Sequence, residues 1–213
     1  RSEVFINGQS LGKRPNGYIS FMYDATPHVK YGEDNVIAVR VDHHEDADSR
    51  WYTGSGIYRD VWMIHANPVH IAQWGVYAYP QKTKNQYQLN IDVDIVNELY
   101  APDGEIIAKK SQRLTASKGA KNKISTALKV NKPQLWSLGN PTLYELKTIV
   151  LENGKEIDKT ITKTGFRDFT FDANKGFALN GEWMKMKGVC IHHDAGVLGA
   201  AVPKEVWKRR LLT

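Results

Sequence analysis

The sequence predicts a mainly β protein, with two successive sandwich modules and a short β/α segment at the end of the chain. Three observations carry this. Apolar and polar residues alternate over short runs along most of the chain, the period of a half-buried strand. Asn-Gly pairs, the strongest short hairpin signal, stand at Asn7-Gly8, Asn153-Gly154 and Asn180-Gly181. Beyond Asn67-Pro68, about seven strand-like runs fall in roughly 100 residues, the count expected of an immunoglobulin-like sandwich.

Taken in order, "EVFINGQSLG" predicts a hairpin at Asn7-Gly8, and "GYISFMYDAT", "EDNVIAVRVD" and "RDVWMIH" predict further strands. Because the chain opens inside a strand-like run, this first module, residues 1–66, is expected to lack its N-terminal part. Asn67-Pro68 marks a boundary, since proline donates nothing to a ladder and holds its neighbour extended. The second module, residues 67–174, is expected to have strands at Val69–Tyr79, Tyr87–Val96, Glu105–Leu114, Lys123–Val130, Tyr144–Glu152, Lys155–Lys163 and Arg167–Phe171. One junction is awkward: no turn signal stands at Asn97-Glu98. Either one long strand bulges there, or a turn and strand are missing from the sequence, and the second reading is preferred. Residues 175–213 change character, with a hairpin at Asn180-Gly181 and a buried-looking strand from Met184 to Ile191. Pro203, Val206, Trp207, Arg210 and Leu211 then follow at helical spacing. A strand followed by a helix cannot bury itself alone, so this reads as the opening of a third domain.

Composition narrows the function classes. Of the 213 residues, 41% are hydrophobic and 24% charged, ordinary for a globular protein. No apolar run reaches the roughly 18 residues of a membrane-spanning helix, so no membrane partner is expected. The net charge of +6 is spread over separated lysines with no nucleic-acid-binding motif beside them. Solvated edge and loop lysines explain it, and no nucleic-acid partner is expected. Cys190 stands alone, which excludes an internal disulfide framework.

The stretch "SRWYTGSGIYRDVW" loads Arg50, Trp51 and Tyr52 onto the mouth of a turn that Gly54-Ser55-Gly56 makes flexible. Aromatic faces stack on the C–H faces of sugars, and a guanidinium or carboxylate binds their hydroxyls. The plainer reading makes Trp51 and Tyr52 interface packing, with Arg50 paired to an acid. "DHHEDAD", Asp42 to Asp48, matches no EF-hand or zinc spacing. It reads as a solvated polar loop.

Together "VFINGQSLG", "GYISFMYDAT", "NVIAVRVD", "SRWYTGSGIYRDVW", "LWSLGNPTLYEL", "TGFRDFTFD" and "LNGEWMKMKGVCIHHD" resemble, in order, successive segments of the glycoside hydrolase family 2 enzymes, the β-galactosidase group. The resemblance implies a truncated jelly-roll (galactose-binding-like) sandwich, an immunoglobulin-like sandwich, and a short β/α stub of a TIM barrel. It implies a retaining β-glycosidase as the parent, with a β-galactoside or related oligosaccharide as the carbohydrate partner. No cofactor is required, and a weak cation site in the parent is compatible with it. A periplasmic or extracellular bacterial parent fits, a cytoplasmic one is not excluded, and a homo-oligomeric parent is compatible.

By the same resemblance, an acidic residue near the aromatic loop reaches the barrel's pocket. Asp48 is the favoured match and Asp46 the second, with Arg50 and Trp51 beside them as substrate contacts. "GVCIHHD" falls where TIM-barrel sites are built, at the C-terminal end of a strand. His192 corresponds to the histidine that hydrogen-bonds the sugar next to the scissile bond, while His193 and Asp194 orient it or shape the rim. The competing reading makes both histidines structural. Cys190 stands where family members often carry Asn, and reads as a small buried strand residue. Trp136, Phe166, Phe169, Phe171, Phe177 and Trp183 are assigned to core and interdomain packing. Neither catalytic glutamate of the family is in this sequence: Glu182 and Glu205 match neither motif, so the chain alone is expected to be inactive. The alternative class is a stand-alone carbohydrate-binding or adhesive two-sandwich protein, against which the β/α tail argues.

Overall fold

The computed structural model describes residues 1–44, 54–83, 86–92, 96–112 and 123–213. Asp46, Asp48, Arg50, Trp51 and Tyr52 therefore lie outside the described residues. The chain divides into two compact units, Arg1–Trp62 with Val189–Thr213, and Met63–Gly188. Among the described residues no helix is long and apolar enough to cross a membrane.

In the first unit, β1 (Ser2–Ile6) is the centre of a three-stranded antiparallel sheet, flanked by β2 (Gln9–Arg14) and β3 (Ile37–Val41). Asn7 and Gly8 turn the β1–β2 hairpin with φ of 48° and 82°, the left-handed pair a two-residue turn needs. Asn7 also staples the sheet to the loop that follows. Its side-chain amide donates to His28 O and Asn35 Oδ1, and its Oδ1 accepts from Val36 N–H.

The strand expected in "GYISFMYDAT" does not form. The segment instead lies against the sheet, with the Tyr23 ring filling the space a Cβ on Gly12 would need, 2.7 Å away. Nor does "RDVWMIH" form a strand: Val61, Trp62, Met63 and Ile64 are all more than half exposed. Both runs have the alternation of a strand but no partner strand among the described residues, and alternation alone makes no ladder.

Seven strands build the core of the second unit. They are β4 (Tyr77–Thr83), β5 (Gln86–Asp92), β6 (Val96–Tyr100), β7 (Ile106–Lys110), β8 (Ser125–Val130), β9 (Tyr144–Glu152) and β10 (Lys155–Thr164). One sheet has the order β4-β5-β8 and the other β10-β9-β6-β7, every pair antiparallel. Tyr87 and Leu89 from β5, Leu128 and Val130 from β8, Leu99 from β6, and Tyr144 and Leu146 from β9 form one buried cluster between the sheets, with Phe166. Strand β9 shows the pattern most plainly, with Tyr144, Leu146, Thr148 and Val150 buried and their neighbours less so.

The awkward junction resolves without one long bulged strand: β5 leaves one sheet at Asp92, and β6 enters the other at Val96. The first expected strand starts late, because Trp74 at φ 57° and a Gly75 N–H to Ala72 O bond of 2.7 Å turn the chain before Tyr77.

The motif-bearing loops knot together beside this core. Trp136 N–H donates to Phe166 O, and Tyr144 Oη accepts from Gln134 N–H. The Arg167 guanidinium lies 5.1 Å from the Trp136 ring centroid. A last sheet follows, β11 (Phe169–Asp172), β12 (Gly176–Leu179) and β13 (Glu182–Met184). Asn180 fastens it: its Oδ1 accepts from Asp168 N–H, its own N–H donates to Asp168 O, and its amide donates to Trp136 O. Phe166 is core, as assigned, but Phe169, Phe171 and Trp183 are 58%, 66% and 46% exposed, so they are not sandwich core.

Two expectations fail in the tail. Residues 185–191 form no strand, and Cys190 is exposed, not buried in one. Parallel barrel strands are covered on both faces and paired on both edges, and no described strand pairs with this segment. The expected helix is present as α1 (Lys204–Leu212), with Pro203 at its N-cap, Glu205 in its first turn and Arg209 and Arg210 in its last, suiting the dipole at both ends.

Candidate functional site

The site is built in the first unit from the "CIHHDAG" segment, α1 and the stretch around Tyr58. His192 is exposed, whereas His193 and Asp194 are half-buried. Asp194 shapes the loop: its N–H donates to His192 O at 2.9 Å, and its carboxylate accepts from Gly196 N–H at 3.0 Å. Those bonds lie just before the short 3₁₀ turn Gly196–Leu198, whose N-cap residue is Ala195.

His193 points into rings. Its imidazole centroid lies 5.9 Å from Tyr18, 6.1 Å from Tyr58 and 6.0 Å from Trp207. A cavity of about 420 Å³ opens alongside, lined by Ile191, His192 and Asp194 on one side and by Arg210 and Leu211 of α1 on the other. Imidazole, carboxylate and guanidinium at one concave place can hydrogen-bond a polyhydroxylated ligand.

Asp48, Arg50 and Trp51 fall outside the described residues, but the ends of their loop are placed. On one side the His43 Nδ1 and Ser55 Oγ lie 3.1 Å apart. Gly54 and Gly56 have φ of 76° and 124°, the left-handed geometry their residue type allows. Next along the chain, the Tyr58 hydroxyl donates to Gly17 O at 2.8 Å while its ring meets His193. The exit of the aromatic loop and the His-His-Asp segment thus come together.

Asp42 and His44 pair with each other, and bonds from the His44 side chain, then its backbone N–H, hold the Asp42 carboxyl below the usual carboxylate range. Among the described residues no group of three His, Cys, Asp or Glu side chains is placed to hold a metal.

The sequence reading missed Tyr58, Tyr18 and Trp207 as neighbours of His193, and Arg210 as a lining residue. The helical spacing of Trp207 and Arg210 was the only signal, and it gives a face, not a partner. A second concave place, about 360 Å³, lies on the outer face of the four-stranded sheet beside Tyr100, Glu145, Lys147 and Lys163. Lys147 Nζ already sits 3.6 Å from the Tyr100 ring centroid, so that ring is covered.

Residues 72–167 match the family model of glycosyl hydrolases family 2. The chain is 44% identical to the β-galactosidase BoGH2A of Bacteroides ovatus, over 99% of this chain and 26% of that protein. It is similar to the crystal structure of a family 2 member from Bacteroides cellulosilyticus, with TM-score 0.87 and 34% identity, over 99% of this chain and 31% of that one. A Bacteroides uniformis β-glucuronidase gives TM-score 0.89 at 28% identity, over 99% and 28%. The chain belongs to glycosyl hydrolase family 2 and spans less than a third of the length of these relatives.

Proposed function

We propose that this chain is the non-catalytic β-rich portion of a retaining β-glycosidase that hydrolyses β-galactosides or a related β-linked oligosaccharide. The observation that carries the reading is the contact of Tyr58 with His193, which brings the exit of the aromatic loop to the segment bearing His192. Residues 1–66 are the C-terminal part of a jelly-roll domain and residues 67–174 an immunoglobulin-like sandwich, the latter supported by its strand order. Residues 175–213 open the barrel.

In the whole enzyme two carboxyl groups about 5–5.5 Å apart, from later parts of the barrel, supply the acid/base and the nucleophile. This chain's residues bind and orient. His192 hydrogen-bonds the sugar beside the scissile bond, Asp48 and Arg50 bind hydroxyls, and Trp51 stacks on the ring. Such contacts raise the rate insofar as they strengthen toward the oxocarbenium-like transition state. Asp194, whose carboxylate accepts from Gly196 N–H, shapes the rim.

The full-length parent, assayed with aryl β-galactoside and aryl β-glucuronide and followed by NMR at the anomeric carbon, is expected to hydrolyse one of them with retention. This chain alone is expected to hydrolyse neither. Absence of turnover in the parent, or tight galactoside binding by this chain alone in titration calorimetry, would count against the reading.

A further inference from the structure

We infer that His193 is a positioning residue, not a sugar ligand: ringed by Tyr18, Tyr58 and Trp207, it fixes the backbone from which His192 projects. This rests on the role proposed above for His192. The three rings come from three separate stretches of chain: Tyr18 from the loop after β2, Tyr58 from beyond Gly54-Ser55-Gly56, and Trp207 from α1.

Their planes are tilted to that of the imidazole by 38°, 67° and 46°. The Tyr58 hydroxyl bonds Gly17 O, so two of the three carriers are also tied to each other. Arg59 lies 5.1 Å from the Tyr58 ring centroid and Arg210 5.3 Å from that of Trp207, so each of those two rings also meets a guanidinium. On the far side of His193, the Asp194 N–H to His192 O bond and the Gly196 N–H to Asp194 carboxylate bond fasten the chain again. His192 is the exposed residue of the pair and lines the cavity.

A residue so enclosed acts through its shape. A misplacement of about 1 Å at a binding group can cost on the order of a hundredfold in rate, so the ring at position 193 matters to catalysis without touching sugar. Phenylalanine keeps the ring and the aromatic contacts while removing both nitrogens.

The test uses the full-length parent as wild type, His193→Ala, His193→Phe, Tyr58→Ala and the His193→Ala/Tyr58→Ala double variant. kcat/KM is measured on an aryl β-glycoside, and thermal unfolding on all five. His193→Ala is expected to lower kcat/KM by about tenfold or more, and His193→Phe to recover it to within about threefold. The losses in Tm from His193→Ala and Tyr58→Ala are expected to be non-additive, since the two rings touch.

A His193→Phe enzyme as slow as His193→Ala, with wild-type Tm, would overturn the inference by making the ring nitrogens the functional atoms. Additive Tm losses would overturn it too. Should His193→Ala fail to fold, the Phe variant still decides. A wild-type parent without glycosidase activity would sink the proposed function instead, and the melts would still report whether His193 is held by Tyr58.

Discussion

Phe166 sits fully enclosed, with the Tyr87 and Tyr144 rings edge-on to it at centroid distances of 5.7 and 5.0 Å. Phe166→Ala removes a large ring from a site without solvent, and about 3–5 kcal/mol of stability should go with it in urea unfolding. Glu98 offers a test of a different kind. It faces away from the core residue Leu99 yet is only 8% exposed, because the Lys109 ammonium and the Tyr100 hydroxyl cover it, at 2.5 and 2.7 Å. Bonds from Lys109 and then Tyr100 hold its carboxyl below the ordinary glutamate value, against the opposing effect of burial. The unfolded chain therefore takes up the proton more readily. The stabilisation is full above the ordinary glutamate pKa of about 4.3 and lost as pH falls through the lower folded value. Glu98→Gln should destabilise at pH 7 by about 1–2 kcal/mol and flatten the acid limb of the stability curve. An acid limb of unchanged slope would mean that other carboxyls set it. Phe166 could be assigned to the core from sequence, because "TGFRDF" follows a clear strand. The cover over Glu98 could not, because it depends on the register that sets Lys109 of β7 across from it.

Among the elements, the three Asn-Gly hairpins were readable because each turn is specified by two adjacent residues. All three asparagines have φ near 50°, and all three glycines near 80° to 90°. Six of the seven strands of the sandwich were readable because each alternates and each has a partner; β6 was not among the expected strands, and the strand expected at Arg167–Phe171 belongs to the separate last sheet as β11. Where alternation had no partner, at "GYISFMYDAT", "RDVWMIH" and residues 185–191, it predicted strands that are not there. Asn180 is the turn with most to lose. Asn180→Ala deletes an acceptor for Asp168 N–H and a donor to Trp136 O, and places a β-carbon residue with no compensating bond at φ 54°. It should cost about 2 kcal/mol and speed amide exchange at Asp168, while exchange in β5 and β9 changes far less. Equal acceleration in both places would show that the sheet β11–β13 and the sandwich open as one.

At the scale of the whole molecule, the candidate site was half legible. Ordered motifs identified the family, and "GVCIHHD" pointed to the place, because a polar cluster following an apolar run stands out in a linear sequence. The separate roles of its members did not stand out. His193 meets residues 135 or more positions earlier and 14 positions later, and no local pattern announces such neighbours. The bond from Gly196 N–H to the Asp194 carboxylate did not stand out for the same reason, being legible only once the backbone is seen. The account's central claim is that this chain lends binding groups to a sugar pocket completed by a barrel. The most direct measurement is kcat/KM of the full-length parent and its His192→Ala variant on an aryl β-glycoside. The account predicts a loss of about a hundredfold, roughly 2.7 kcal/mol of transition-state stabilisation, with the melting temperature preserved. An unchanged kcat/KM would contradict it.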